Sequence, residues 1–138
     1  MKFAPSLALL LTAALISPSA LANFHIMHSD NRFDPLIACP SNYDNCICMR
    51  DGKHGVQSLN GETSLGDAFS LNGGLCGMSQ MNFYKRSDGH WDFYVNNGDG
   101  SLQGTCYSNT ATNECYNDGG AIEIFNDELV CYSYICEP

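Results

Sequence analysis

Eight cysteines stand in a chain of 138 residues, and none precedes Cys39. An even set at this density reads as a disulfide framework. Cys39, Cys46, Cys48, Cys76, Cys106, Cys115, Cys131 and Cys136 therefore predict four bridges. Roughly a hundred pairings are possible for eight cysteines, and spacing excludes few of them. Cys46 and Cys48 are two apart; in extended chain they point the same way, and a bridge between them would be strained. They are expected to find different partners. Full pairing leaves no thiol for catalysis, and a lone C-x-C lacks the second cysteine pair of a zinc site. No metal site and no cofactor is expected.

Disulfides persist in oxidising compartments, and the start of the chain agrees with that. Lys2 precedes an apolar run over residues 7–16 (LALLLTAALI), Pro18 breaks it, and Ala20, Leu21 and Ala22 form a small-x-small cleavage site. This pattern predicts a signal peptide over residues 1–22, a single domain over 23–138, and secretion to the extracellular space. The run is too short to span a bilayer and no second one follows, so no membrane anchor is expected. Removing 22 of the 138 residues leaves 116, and losing Lys2 moves the formal charge from −9 to −10. Such a surface repels phosphate backbones and anionic membranes, which disfavours nucleic-acid and membrane partners.

The remaining chain is punctuated by Asn and Gly, 13 of each, with little Pro and no sustained helical periodicity. Short aromatic and β-branched runs at 24–28, 36–38, 55–59, 68–71, 81–86, 91–96, 102–107, 121–125 and 129–135 read as strands. The fold class is all-β, a small antiparallel barrel or sandwich stapled by about four disulfides. The one helix candidate, over residues 62–70, is interrupted by Gly66. Two hairpins are specific. Asp88 and Gly89 predict a two-residue turn, which sets Tyr84 opposite Phe93 and Phe83 opposite Tyr94. Trp91, Phe93 and Val95 then enter the core, and Phe83 and Tyr94 lie on the outer face. A second turn at Asn126 and Asp127 is expected to fold residues 122–125 back onto 128–134.

Four histidines, His25, His28, His54 and His90, could supply acid–base chemistry. Glu62, Glu114, Glu123 and Glu128 are the candidate partners, and Arg32, Arg50 or Arg86 could clamp an anion. If two histidines and a glutamate meet in one cleft, a secreted hydrolase of the small acidic ribonuclease kind becomes the reading. The loops at 96–100 and 117–120 carry oxygen side chains but lack an EF-hand pattern, and read as plain turns. No nucleophile elbow, zinc-protease helix, phosphate loop or dinucleotide fingerprint occurs.

Residues 23–27 (NFHIM), 38–48 (ACPSNYDNCIC), the block from 74–78 (GLCGM) to 91–94 (WDFY), and 129–136 (LVCYSYIC) give the chain its character. In these it resembles the small secreted cysteine-rich proteins of filamentous fungi. The resemblance is one of pattern and covers most of the chain after the leader. It implies an effector-, elicitor- or defence-like protein: a compact β-barrel that acts without catalytic residues by binding an extracellular or host protein or glycan. Phe83, Tyr94 and the tyrosines near the C-terminus are the candidate contacts.

Overall fold

The computed structural model describes residues 22–136, so the leader read over 1–22 lies almost wholly outside the described residues. Nine strands form one antiparallel sheet. They are β1 (Ala22–Ser29), β2 (Ile37–Pro40), β3 (Val56–Gln57), β4 (Ala68–Leu71), β5 (Met81–Lys85), β6 (Trp91–Val95), β7 (Gly104–Ser108), β8 (Thr112–Tyr116) and β9 (Ile122–Ser133). Their order is β3-β2-β1-β9-β7-β6-β5-β4, with β8 paired to the first half of β9. The two ends of this path meet: Ser58, just after β3, bridges Leu71 of β4, and the Asn72 N–H donates to Gln57 O at 3.0 Å. The sheet is thereby curled into a nearly closed barrel, which leaves little unpaired edge.

Phenylalanines fill the barrel. Phe24, Phe69, Phe83 and Phe93 are all buried. Phe83 stacks on Phe69 and Phe93 with centroids 4.5 and 5.0 Å apart, and Phe24 meets Phe93 edge-on at 5.4 Å. Burial of each ring contributes about 2–3 kcal/mol. A second core of Met27, Ile37, Met49, Phe125 and three cysteines lies under a short helix, α1 (Cys46–Asp51). The Asn45 side chain accepts from the N–H groups of Ile47 and Cys48, and Gly52 closes the helix at φ +69°. This is a complete pair of caps on six residues. Four disulfides staple the frame: Cys39–Cys48, Cys46–Cys115, Cys76–Cys136 and Cys106–Cys131. Cys46 and Cys48 do take different partners, and on a helix residues two apart point to nearly opposite sides.

The β5–β6 hairpin departs from the expected register. The Arg86 N–H donates to His90 O at 2.7 Å, the Gly89 N–H donates to Arg86 O at 3.0 Å, and Asp88 Oδ1 accepts from the His90 N–H. Within the loop only Gly89 takes a positive φ, +91°. The connection is thus three residues, 87–89, and not a two-residue turn. Phe83 pairs with Phe93 and Lys85 with Trp91. A slip of one residue exchanges the faces of a strand. Phe83, expected on the outer face, is therefore in the core, and Tyr84, expected inside, is 51% exposed. Trp91 and Phe93 are buried as expected, while Val95 at the strand end is only partly covered.

The expected turn at Asn126 and Asp127 is absent; β9 runs straight through it. Asp127 is buried, its N–H donates to Ala111 O, and its carboxylate is held by side chains of two other segments. Tertiary bonding outweighs the local turn preference. The turn falls instead at 117–120, where Asn117 Oδ1 accepts from the N–H groups of Gly119 and Ala121. The strand before it, β8, buries only Cys115 and so carries no alternating apolar signal. Residues 62–70 form no helix; they contain two bends and the start of β4.

Candidate functional site

Alternation across β5, β6, β7 and β9 sorts the aromatic residues by face. Inward positions hold Phe83, Trp91, Phe93 and the Cys106–Cys131 bridge. Outward positions hold Tyr84, Tyr94, Tyr107 and Tyr132, with Tyr134 just past the end of β9; these are five of the seven tyrosines. The division is physical. Phenylalanine has no polar atom to satisfy, whereas a tyrosine ring on the outer face keeps its hydroxyl at the water boundary. The outer rings touch in sequence. His90 lies 4.3 Å from Tyr107, and Tyr107 meets Tyr132 edge-on at 5.7 Å. Tyr84 and Tyr94 pair separately at 6.1 Å.

Between β7 and β9 this face is hollowed into an open groove of about 890 Å³. Tyr107, Tyr132 and Tyr134 line it with Leu102 and Val130, and Gln103, Thr105, Ser108 and Ser133 add amide and hydroxyl groups. No charged side chain lines it, on a protein whose formal charge is −9. Its floor is fixed by Gly104, where a Cβ would stand 2.7 Å from Phe93 Cε1 and 2.8 Å from Ser133 Cβ. The disulfide beneath β7 and β9 holds both walls to the core. Such a surface can stack and hydrogen-bond a neutral ligand without rearranging.

A second polar assembly sits where β1 pairs with β9. His25 of β1 places Nδ1 2.6 Å from Asp127 Oδ2, and Asn109 Nδ2 donates to the same oxygen at 2.8 Å. Nε2 of His25 faces Asp44 Oδ2 at 3.9 Å. Asp44 directly precedes Asn45, the N-cap of α1, so the assembly ties β1 and β9 to the helix. The hydrogen bond to Asp127 is the main reason the His25 pKa is raised above its ordinary value; burial works against it, and the charges of Asp127 and Asp44 add to it. Burial raises the Asp44 pKa, with the positive His25 opposing and the negative Asp127 reinforcing.

The other candidates are dispersed. His28 lines a small cavity with Glu128, His54 stacks on Tyr43 at 4.0 Å, and His90 lies against Tyr107. Glu123 accepts from Ser29 Oγ, Glu62 accepts from the Ser70 N–H, and Glu114 is exposed. Arg50 is paired with Asp51, Arg86 with Asp88 and Asp92, and Arg32 lies over Phe33. Among the described residues His25, Asp44 and Asp127 are the one cluster of three potential ligand groups, and its carboxylates are aspartates, where glutamates were the expected partners. Of the two candidate contacts, Tyr94 is outside and partly exposed, and Phe83 is not on the surface at all. The tyrosines near the C-terminus do line the groove; Tyr107 was legible only as a strand aromatic. Four disulfides are typical of extracellular proteins, and no helix among the described residues is long and apolar enough to cross a membrane. No known protein family, no characterised protein and no solved structure matches this chain.

Proposed function

We propose that this protein is secreted and acts without chemistry of its own, in the manner of an effector-like binding module. Its partner is an extracellular glycan, taken in the groove between β7 and β9. One observation carries the reading: Tyr107 of β7, Tyr132 of β9 and Tyr134 just past it line an open, uncharged groove on an otherwise acidic protein. Tyrosine supplies a rigid apolar ring and a polar tip at low entropic cost, which suits the mixed C–H and hydroxyl faces of a sugar. Titration calorimetry with neutral cello-, chito- and xylo-oligosaccharides tests it. Binding of one of these, weakened roughly tenfold or more by Tyr107→Ala or Tyr132→Ala with the melting temperature unchanged, is the expected result. Absence of binding to all three, or binding indifferent to both substitutions, rules the groove out.

The alternative, a small acidic ribonuclease, calls for two histidines and a glutamate in one cleft. The four histidines lie in four separate surroundings. RNA cleavage by the purified protein, abolished by replacing a single histidine, would reverse the choice between the two readings.

A further inference from the structure

From the cluster at the junction of β1, β9 and α1, we infer a site for one divalent transition-metal ion of the zinc type. His25 Nε2 and the Asp44 carboxylate are its protein ligands, and water completes the shell. This does not rest on the reading of the tyrosine groove, whose lining includes none of His25, Asp44 and Asp127.

Three observations converge. The first is the orientation of the histidine. A metal-binding imidazole generally gives one ring N–H to a carboxylate, which fixes the tautomer and leaves the other nitrogen free to ligate. Asp127 holds Nδ1 of His25 at 2.6 Å and is itself positioned by Asn109 at 2.8 Å. Nε2 is thereby committed to face Asp44. The second is spacing. Two ligands of a tetrahedral zinc, each about 2.0–2.1 Å from the metal, stand about 3.3 Å apart. Nε2 and Asp44 Oδ2 stand 3.9 Å apart, a gap that a small rotation of the partly exposed Asp44 side chain closes.

The third observation is independent of the other two. Asp44 Oδ1 and Asp127 Oδ1 are both shielded from solvent and neither has a hydrogen-bond partner. Asp127 as a whole is only 3% exposed. Ser41 Oγ, in the turn just before Asp44, is buried without a partner as well. Unsatisfied buried carboxylate oxygens are costly, and a cation among them offsets that cost. One imidazole with carboxylates favours zinc-like ions; calcium and magnesium prefer all-oxygen shells.

The test uses the oxidised protein, stripped with a chelator, dialysed and titrated with ZnCl₂ by calorimetry, while the imidazole ¹⁵N resonances are followed by NMR. The expected result is one Zn²⁺ per chain, a shift at His25 Nε2, and a raised melting temperature. Asp44→Asn should weaken binding at least tenfold and abolish the thermal shift. His25→Gln should do the same; if that variant does not fold, Asp44→Asn decides alone, because its side chain is the more exposed of the two. Three results would overturn the site: no binding at about millimolar Zn²⁺, a loss below tenfold in Asp44→Asn, or ¹⁵N shifts at His28, His54 or His90 with none at His25.

Discussion

His25 links the stability of the fold to pH near the histidine range. Its pKa is raised in the folded state, chiefly by the bond to Asp127, so the protonated form is the one that folding favours. The stabilisation it gives is fully present below the ordinary histidine value of 6.5. It is lost as the pH rises from there through the folded-state value. Chemical unfolding measured across that interval should show falling stability, and His25→Gln should flatten the curve. The same substitution should cost about 1.5–3 kcal/mol in acid, where it removes a charge-assisted bond to a buried carboxylate. Gly104 gives a second prediction of the same scale. A methyl there meets Phe93 and Ser133 at 2.7 and 2.8 Å. Gly104→Ala should therefore lower stability by about 1–3 kcal/mol, the usual cost of overpacking, and should disturb the groove as well.

Elements differ in how openly the chain announces them. β4, β5 and β6 were legible almost to the residue, because aromatic side chains cluster there between turns that contain glycine. The hairpin register was not. Asp88 and Gly89 allow either a two- or a three-residue loop, and packing of Phe83 between Phe69 and Phe93 selects the latter. Periodicity could not reveal α1, since six residues are too few to show a repeat, although Asn45 and Gly52 mark both of its ends. Asn45→Ala should accordingly cost about 1 kcal/mol in thermal unfolding. The groove was half visible: Tyr132 and Tyr134 could be read as surface contacts, but pairing β7 with β9 is what brings Tyr107 beside them. The metal-like cluster was invisible, because His25, Asp44 and Asp127 come from three distant segments and carry no local spacing.

At the scale of the whole molecule the bridges are not equivalent. Cys39–Cys48 closes a loop of separation 9, whereas Cys76–Cys136 closes one of 60. On the chain-entropy argument, replacing both cysteines of the short loop by serine should cost about 2.5 kcal/mol, and of the long loop about 4 kcal/mol. Denaturant titration of the two double variants checks the order. The position of β1 carries a different consequence, one of time. Phe24 lies opposite Cys131, so the first strand in sequence order waits for the ninth. A ribosome or a translocation pore releasing this chain in order would deliver β9 after every other strand. Until then β1 has only β2 beside it, and the barrel cannot close. Folding should therefore be slow, in the millisecond-to-second range of non-local β proteins, with closure of the barrel by β9 as its late step.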